Sequence, residues 1–432
     1  MEAWLARAAR EHGSRIALSM PAGAGGVDGG LRITYAELLA AAARVAGGLR
    51  DAGVGRGDRV ALALSSQELL LALHGCLLIG AAAVPLDLRL TPGERALRAD
   101  GAALVLDALP DGDPGPPEPA TLDQPATVMF TSGTTAGPKP VVLSLDNWLG
   151  NAIGSAFALG LDRDERWLCP MPLAHVGGLS IGLRSVLYGT EVLLHGRYET
   201  EAVRDALMDP GAGVTLASLV PTMLVRLLDA GLARPPSLRW VLLGGGPIAP
   251  VLLARAAAAG VPVAPSYGMT EACSQIATFG WPLLGTELRL GPEDEVLVRG
   301  RTVARGALAA DGWLHTGDRG RIDAGGRLEI VGRIAETIVS GGENIAPTEV
   351  EAVLLEHPAV GDVAVLGRPH AEWGEATVAL YVLADRARDP GEAGLRAHCA
   401  ARLAGFKVPK RFELVSAVPR GSTGKLLRRE LR

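Results

Sequence analysis

The chain contains 432 residues, too many for one ordinary hydrophobic core and enough for two or more domains. Hydrophobic residues make up 48% and charged residues 21%, which is the balance of a globular protein. The net charge of −5 argues against a nucleic-acid partner. The four cysteines form no CxxC pair and are too few for a disulfide framework, so we expect a reducing, cytoplasmic location.

The N-terminal half shows no targeting or membrane signal. Residues 1–15 lack a long apolar stretch after their charges, so we expect no signal peptide. The longest uncharged stretch, Leu69–Leu86, contains His74 and Pro85. It divides better into a helix end and a buried strand than into a membrane span, so we expect no stable membrane insertion.

The first predicted elements alternate between helix and strand. Thr34 is a plausible N-cap for the first of these helices, because Glu37 follows three residues later. Such alternation favours a parallel α/β sheet. The predicted helices cover residues 35–53 and 66–80, and the predicted strands cover residues 59–64 and 82–88.

The pattern restarts after Gly332, which indicates a second domain. Before it, residues 107–124 are rich in proline, glycine and aspartate and indicate a surface loop. We therefore predict an α/β fold with a large multi-sheet N-terminal domain, residues 1–332, and a small α+β C-terminal domain, residues 333–432. Further predicted strands cover residues 126–130, 214–220, 239–245, 261–268, 287–291, 295–300, 360–368 and 376–383, with hairpins over 311–332 and helices over 347–357 and 392–405.

Residues 131–140, TSGTTAGPKP, combine hydroxyl groups with bare backbone directly after a predicted strand. They do not form a P-loop, because a proline on each side of Lys139 forbids the helix start that the P-loop lysine needs. The segment is either a phosphate-binding loop or a flexible turn. In the first case its hydroxyls and backbone would form an anion-binding nest, built from Ser132, Gly133, Thr134 and Thr135.

Residues 266–275, SYGMTEACSQ, place an aromatic ring, a hydroxyl and a carboxylate close to a predicted strand end. Ligands of open α/β sheets lie at such strand ends. The ring of Tyr267 can stack on a base, and the carboxylate of Glu271 can hold Mg²⁺ near phosphates. A helix cap beside a core tyrosine is the alternative.

Three later residues could also contact a nucleotide. Asp318 lies in the glycine-bounded segment WLHTGD and could bind a ribose diol, and Arg333 could bind the same sugar or a phosphate. An ordinary hairpin with a surface ion pair is the alternative. Lys425 lies in a glycine-bounded loop before a predicted short basic helix, and a solvated basic tail is its alternative.

In this order, TSGTT…PK, YGMTE, TGD…GR and GK resemble the motifs of the acyl-adenylate-forming enzymes, the superfamily of acyl-CoA synthetases, adenylation domains and firefly-type luciferases. The resemblance covers nearly the whole chain. Each motif is weak alone, but their order and number make the combination specific. Four further segments match, namely PLAHVGGLS (172–180), VPTML (220–224), GGGPI (244–248) and SGGENIAPTEVE (340–351).

The resemblance implies an ATP-dependent ligase with two half-reactions. A substrate carboxylate attacks the α-phosphate of ATP to give acyl-AMP and pyrophosphate. A thiol, usually coenzyme A, then displaces AMP to give a thioester. ATP, Mg²⁺ and coenzyme A are the implied cofactors, and the chemistry depends on positioning and charge stabilisation.

The same resemblance implies roles for individual residues. Lys425 would bridge the substrate carboxylate and the α-phosphate. Thr270 would bind the α-phosphate, and Glu271 would bind Mg²⁺. His175 would gate the acyl pocket, with a core histidine as the alternative. The other implied contacts are with the leaving phosphates (Thr131, Ser132, Gly133, Thr134, Thr135 and Lys139), with adenine and the rest of the nucleotide (Gly244, Gly245, Gly246, Tyr267 and Gly268), and with ribose (Asp318 and Arg333).

The C-terminal domain of such enzymes is mobile and would rotate about a hinge after Arg333 between the half-reactions. Lys425 would swing out, and the loop at residues 340–343 would swing in toward the thiol. Gly341 and Gly342 suit that loop because glycine lets the backbone approach a ligand closely.

The sequence departs from the family pattern at three positions. Ala136 and Pro140 stand where glycine is usual, which would stiffen or bend the phosphate loop. Ala335 stands at the usual hinge position and is followed by Glu336, so an interaction that holds one domain arrangement could be lost. None of these changes removes a group assigned to the chemistry.

Within the superfamily, the compact chain and the segments SYGMTEACSQIAT and VSGGENI look most like the o-succinylbenzoate–CoA ligases of menaquinone biosynthesis. Their substrate has a second carboxylate, which would need a cation or hydroxyl donors. A ligase for another aryl or medium-chain acid, an adenylation protein that loads a carrier protein, and a nucleotide-binding regulatory protein without turnover stay open. Related ligases are often dimers, which leaves a homodimer open. The residues that could bind the second carboxylate are Arg184, Ser218, Ser274 and Thr278.

Overall fold

The structure is a computed structural model that describes residues 1–22, 30–131, 139–370, 373–384, 388–421 and 426–431. Its helices are α1 (Trp4–His12), α2 (Tyr35–Asp51), α3 (Ser66–Leu78), α4 (Pro92–Ala99), α5 (Leu145–Leu159), α6 (Val176–Tyr188), α7 (Thr200–Met208), α8 (Pro221–Asp229), α9 (Pro250–Ala258), α10 (Pro347–Leu355) and α11 (Gly391–Ala400). Its strands are β1 (Ile16–Met20), β2 (Leu31–Thr34), β3 (Arg59–Leu62), β4 (Ala82–Pro85), β5 (Leu104–Leu106), β6 (Pro125–Thr131), β7 (Lys139–Ser144), β8 (Arg166–Cys169), β9 (Glu191–Leu194), β10 (Leu216–Leu219), β11 (Trp240–Leu243), β12 (Val263–Met269), β13 (Ser274–Thr278), β14 (Trp281–Pro282), β15 (Thr286–Leu290), β16 (Glu295–Gly300), β17 (Leu314–Ile322), β18 (Leu328–Arg333), β19 (Ile338–Ser340), β20 (Glu343–Ile345), β21 (Val360–His370), β22 (Gly374–Leu383) and β23 (Arg411–Leu414).

Two sheets carry the parallel strands of the N-terminal domain. One has the order β5-β3-β4-β6-β7, and the other has the order β14-β13-β12-β11-β10-β8-β9-β1-β2. Strands β1, β9, β8, β10, β11 and β12 run parallel to their neighbours, whereas β2, β13 and β14 pair antiparallel at the edges. The alternation of these strands with helices confirms the predicted α/β class.

Local sequence signals explain where the first helices begin. Thr34 caps α2, because its Oγ1 accepts from Glu37 N at 3.2 Å while Glu37 Oε2 accepts from Thr34 N at 2.8 Å. The uncharged stretch Leu69–Leu86 divides into the end of α3 and the buried strand β4, as predicted. In the described residues, no helix is both long enough and apolar enough to cross a membrane.

The predicted surface loop at residues 107–124 has no helix or strand and lies across α2. A pair of glycines in α2 permits this approach. A Cβ on Gly47 would lie 2.4 Å from the carbonyl oxygen of Asp113, and one on Gly48 would lie 2.8 Å from the amide nitrogen of Asp111. Any larger side chain at these two positions would displace the loop from the helix.

A third sheet and a second domain complete the fold. Strands β15 to β18 form an antiparallel sheet whose last strand ends at Arg333. A 3₁₀ turn, Ile334–Glu336, leads into the C-terminal sheet β20-β19-β22-β21, where β23 pairs with β22. Helices α10 and α11 pack on this sheet around buried Val350, Leu354 and Leu395. The mixed α/β architecture with several sheets and a C-terminal domain agrees with the predicted fold class.

The two parts touch beside the predicted hinge. The hydroxyl of Thr348, in α10, donates to the carbonyl oxygen of Val331 in β18. A Cβ on Gly332 would lie 2.9 Å from the same Thr348 oxygen. After the region of Lys425, the predicted short basic helix is wrong, because the described residues form only one 3₁₀ turn, Arg428–Glu430.

Candidate active site

The predicted nucleotide-binding residues gather at the carboxyl ends of the parallel strands. Thr131 ends β6, Gly244–Gly246 follow β11, and Tyr267 and Gly268 lie near the end of β12. This edge is where an open α/β sheet offers side chains and free backbone groups to a ligand. The topology therefore brings together motifs that are more than a hundred residues apart in sequence.

Asp318 is the centre of a hydrogen-bonded cluster at this edge. Its side chain is 7% exposed, and its Oδ2 accepts from the Tyr267 hydroxyl at 2.7 Å. Its Oδ1 lies 2.6 Å from Nε of Arg333, whose Nη1 donates to the carbonyl oxygen of Thr316 at 3.2 Å. Burial, and then the Asp318 charge, raise the pKa of Tyr267, so this phenol stays a neutral donor.

The turn after Tyr267 is held in a strained conformation. Thr270–Ala272 form a 3₁₀ turn, and both Cys273 and Ser274 then adopt left-handed backbone conformations, with φ of 52° and 86°. A Cβ on Gly268 would lie 1.6 Å from the carbonyl oxygen of Ser274, so glycine is required there.

The carboxylate of Glu271 is unpaired within the part of the chain that the structure describes. Its main-chain oxygen accepts from Ala304 N at 2.8 Å, but among the described residues its side chain has no hydrogen-bond or ion-pair partner. No group of three or more histidine, cysteine or acidic residues in the described ranges could hold a metal ion. A lone carboxylate fits Mg²⁺, which proteins usually hold through one or two carboxylates together with substrate phosphates.

The glycines after β11 keep the backbone open on one side. A Cβ on Gly244 would lie 2.9 Å from the carbonyl oxygen of Ser266, and Gly245 adopts a left-handed φ of 79°. Gly246 has only Pro221 side-chain carbons within 4 Å of such a Cβ. A planar ring could therefore approach this backbone closely.

His175 lies at the start of α6 and faces a buried acid. Its Nε2 is 3.6 Å from Oδ2 of Asp87, and its imidazole is 38% exposed, which argues against a core histidine. Burial opposes the charge on Asp87. The hydrogen bonds from Arg89, together with the nearby imidazole of His175, outweigh this effect and hold the pKa of the carboxyl well below its usual range. Asp87 was not predicted from the sequence, although it lies two residues after the end of β4, a strand end that could have indicated it.

A cavity of about 670 Å³ opens beside this pair. It lies at the carboxyl ends of β3, β4, β8, β9 and β10, and Arg420 and Gly421 of the C-terminal domain line its far side. Its volume suits a small organic ligand. Four arginines line the cavity, and three of them form ion pairs with carboxylates. The fourth, Arg226, has no carboxylate within ion-pair distance among the described residues. The paired ones are Arg89, Arg197 and Arg420.

The residues proposed for a second substrate carboxylate do not line the cavity. Arg184 is 1% exposed, and its Nε donates to Asn151 Oδ1 at 2.9 Å. Burial lowers its pKa to about 10. Ser218 and Thr278 are buried and accept from Trp167 and Gln275, and Ser274 lies in the strained turn. The sequence revealed the polar groups but not their burial.

Two predicted elements, the phosphate loop at residues 131–140 and the loop that contains Lys425, lie partly or wholly outside the described residues. Ser132, Gly133, Thr134 and Thr135 lie there, as does Ala136; the described flanks place Thr131 opposite Lys139 in the β6–β7 hairpin. Lys425 also lies there, in a loop whose ends meet in a bridge between Arg420 and Leu426.

The predicted glycine loop of the C-terminal domain, at residues 340–343, lies within the described residues. Gly341 and Gly342 adopt left-handed φ values of 62° and 84°. A Cβ on Gly341 would lie 2.8 Å from Cε3 of Trp373, whereas one on Gly342 would meet nothing within 4 Å. Gly342 is thus the open position of this loop, and its conformation favours glycine.

The fold and these motifs define an AMP-binding enzyme, and the chain belongs to that family. Residues 5–106 and 98–307 match the AMP-binding enzyme family, and residues 349–425 match the C-terminal domain of AMP-binding enzymes. The family resemblance drawn from the motifs is thereby confirmed.

Its relatives include 2-succinylbenzoate–CoA ligases. The enzyme of that name from Bacillus licheniformis is 39% identical over an alignment that covers 94% of this chain and 95% of the relative. The o-succinylbenzoate CoA synthetase of Bacillus subtilis, solved with the acyl-adenylate intermediate OSB-AMP, superposes with a TM-score of 0.90 at 35% identity, covering 100% of this chain and 98% of that one. The same enzyme with ATP and a magnesium ion gives a TM-score of 0.89 at 35% identity and coverage of 100% and 99%.

Proposed function

We propose that the chain is an ATP-dependent ligase that activates 2-succinylbenzoate as its acyl-adenylate and transfers the acyl group to coenzyme A. The observation that carries this proposal is the Tyr267–Asp318–Arg333 cluster at the carboxyl edge of the sheets. Glu271 follows Tyr267 by four residues, in the turn after β12, and the chain's full-length relatives carry this activity in their names.

The described residues support an assignment of roles for the nucleotide. Asp318 and Arg333 would bind the ribose, because the carboxylate can accept further hydrogen bonds beside those from Tyr267 and Arg333. The open backbone of Gly244–Gly246 would receive adenine. Thr270 would bind the α-phosphate, and Glu271 would hold Mg²⁺, which supplies charge neutralisation at the phosphates.

The adenylation step needs a cation between the two reacting groups. The substrate carboxylate oxygen forms a bond to the α-phosphorus, and the bond to the pyrophosphate oxygen breaks. We assign stabilisation of this charge to Lys425 and release of pyrophosphate to the loop Thr131–Lys139. Both assignments rest on the family motifs, since most of these residues lie outside the described ranges.

The thioester step follows at the same carbonyl carbon. The coenzyme A sulfur attacks it, AMP leaves, and the loop at Gly341 and Gly342 would approach the thiol after the C-terminal domain rotates. His175 would separate the acyl group from the cavity. The cavity arginines suit anionic substrates, and Arg226 is available to an incoming anionic group because no carboxylate in the described residues neutralises it.

Acid specificity gives the direct test. Purified protein is incubated with ATP, Mg²⁺ and coenzyme A, and pyrophosphate release is measured with 2-succinylbenzoate, benzoate and octanoate. The proposal expects the highest kcat/KM with 2-succinylbenzoate. Preference for benzoate or octanoate would mean a ligase for another acid. Acyl-AMP that accumulates without using coenzyme A would favour loading of a carrier protein. No release with any acid would favour a regulatory protein.

We also propose that the protein is located in the cytoplasm. All four cysteines are free and buried, which suits a reducing cytoplasm. The homodimer stays a prediction, and sedimentation of the purified protein at several concentrations tests it.

A further inference from the structure

Arg428 has an unusual set of partners for a residue in a basic tail. It begins the 3₁₀ turn three residues after Lys425, and its guanidinium is 11% exposed. Its Nη2 lies 2.6 and 2.7 Å from the two carboxylate oxygens of Glu351, and its Nη1 donates to Glu336. Its Nε donates to the carbonyl oxygen of Val365 at 3.3 Å. This arginine therefore points into the domain rather than into solvent.

Glu351 makes the contact structurally important. Its carboxylate, on α10, is 11% exposed and also accepts from Val365 N at 2.8 Å. Burial raises the pKa of Glu351, and the charge of Arg428 opposes that rise. A buried carboxylate without its cation is costly, so this pair holds the end of the tail against α10.

On the other side of Lys425, five residues before it, Arg420 is also held by a carboxylate. Arg420 lies 2.9 Å through Nε and 2.5 Å through Nη2 from the oxygens of Asp362, at the start of β21. Arg420 forms a bridge with Leu426, and Leu427 N donates to Pro419 O at 2.9 Å. The described residues on either side of positions 422–425 are therefore held by ion pairs, on one side through Asp362 and on the other through Glu351.

Glu336 connects this anchor to the hinge. It ends the 3₁₀ turn at the domain junction, two residues after Ile334 and next to exposed Ala335. On the other side of that turn, Arg333 is bound to Asp318 of the N-terminal domain. Ala335 therefore lies between Arg333, which is bound to the N-terminal domain, and Glu336, which is bound to Arg428 of the C-terminal domain. The Glu336–Arg428 pair connects the proposed hinge to the residues that follow Lys425.

We propose that Arg428 is a positioning residue for Lys425, which precedes it by three residues, because it holds the described segment 426–431 against the hinge through Glu336 and against α10 through Glu351. This inference rests on the proposed function, because it assigns Lys425 to adenylation. With both contacts in place, rotation at Ala335 would move the segment 426–431 together with α10, and Lys425 would be delivered to the reacting groups through its connection to that segment. Without them the lysine loses its position, and adenylation slows while the thioester step, which does not use Lys425, is spared.

The test measures the two half-reactions separately. Arg428→Gln should reduce pyrophosphate release from acid and ATP by about 10- to 100-fold, the range expected for lost charged hydrogen bonds. Conversion of supplied acyl-AMP with coenzyme A should stay near the wild-type rate. Arg428→Lys should recover part of the loss, because lysine keeps the charge but not the bidentate geometry.

A second variant and a control separate positioning from folding. Glu336→Gln leaves the buried Arg428–Glu351 pair intact and should slow the same half-reaction by a smaller factor. If Arg428→Gln does not fold, the adenylation rate of Glu336→Gln tests the positioning role instead. Arg402→Gln removes an exposed ion pair with Glu356 in the same domain and should change neither rate. Equal loss of both half-reactions, or full adenylation in Glu336→Gln, would overturn the proposal.

Wild-type protein and Lys425→Ala are measured in the same assays. Acid-dependent pyrophosphate release that disappears in Lys425→Ala supports the proposed function, and the Arg428 and Glu336 results then concern positioning alone. A wild type without such release contradicts the proposed function itself.

Discussion

Nε of Arg333 lies 2.6 Å from Oδ1 of Asp318, across the β17–β18 pair of strands. The same carboxylate accepts from the Tyr267 hydroxyl. Arg333 is also the last residue of β18 before the hinge turn. The carboxylate that we assign to the ribose is therefore bonded to the last residue before the Ile334–Glu336 turn, so the proposed ribose site adjoins the proposed hinge.

Asp318→Asn tests that cluster. The amide keeps the shape but loses the charge that pairs with Arg333, and its NH₂ cannot accept a hydrogen bond. We expect kcat/KM for ATP to fall by about 10- to 100-fold, the range for charged hydrogen bonds. The measurement is pyrophosphate release against ATP concentration.

The matched control for this variant lies on the same two strands. Arg321 and Glu329 face each other in the β17–β18 register and form an exposed ion pair. Arg321→Gln should leave kcat/KM for ATP near wild type, because exposed pairs contribute about 0–1 kcal/mol. An unchanged ATP dependence in Asp318→Asn would contradict the ribose assignment.

Gly342→Leu tests the glycine loop. The left-handed conformation costs a residue with a Cβ about 1–2 kcal/mol, and the side chain would occupy the open side of the loop. We expect the conversion of supplied acyl-AMP to acyl-CoA to slow by about tenfold or more, while pyrophosphate release continues. Gly391→Ala is the control, since Gly391 has a φ of 66° and open space around it elsewhere in the same domain. A normal thioester rate in Gly342→Leu would refute the proposed approach to the thiol.

Arg226→Gln tests recognition of a second substrate carboxylate. The probes are 2-succinylbenzoate and 4-oxo-4-phenylbutanoate, which lacks the ring carboxylate. If Arg226 pairs with that carboxylate, the variant should raise KM for the first acid by about 10- to 100-fold and change the second little.

Arg184→Met is the comparison for that experiment. Arg184 is buried and bonded to Asn151, so its loss should lower the unfolding temperature without changing the ratio of the two KM values. A changed ratio in Arg184→Met, with none in Arg226→Gln, would reverse the assignment of the two arginines.

His315 should make stability depend on pH. Hydrogen bonding to Glu295, and then to Asp311, raises the pKa of its imidazole above the unfolded value near 6.5. A raised folded-state pKa gives stability that is fully present below about pH 6.5 and is lost as pH rises through the folded pKa. The difference in unfolding midpoint between wild type and His315→Gln should therefore be larger at about pH 5.5 than at about pH 9. A constant difference would contradict this assignment.

The sequence predicted the fold class and the collection of motifs, but not the contacts that join them. Thr34 and Glu37 are three residues apart, so local spacing was sufficient to predict that cap. The Asp318–Arg333 pairing depends on a bulge between Arg319 and Gly320, which sets the register of β17 and β18. Local spacing does not fix such a register.

The sequence did not predict which polar side chains are buried or which residues pair over long distances in the chain. Arg184 carries an ordinary cation in the sequence, but the packing of α6 against α5 and β8 places it in the core. Arg428 was expected in a solvated or catalytic tail, whereas it meets Glu336 and Glu351, each more than seventy residues earlier in the chain. Only tertiary structure shows such partners.

The central claim is that the acid is activated as an acyl-adenylate, and isotope transfer measures it most directly. The enzyme is given ATP, coenzyme A and 2-succinylbenzoate labelled with ¹⁸O in the succinyl carboxylate, and the released AMP is analysed by mass spectrometry. The account predicts one ¹⁸O in the AMP phosphate, because the carboxylate oxygen that attacks the α-phosphorus leaves with AMP. Thioester formation with unlabelled AMP, or with ADP and phosphate as products, would contradict it.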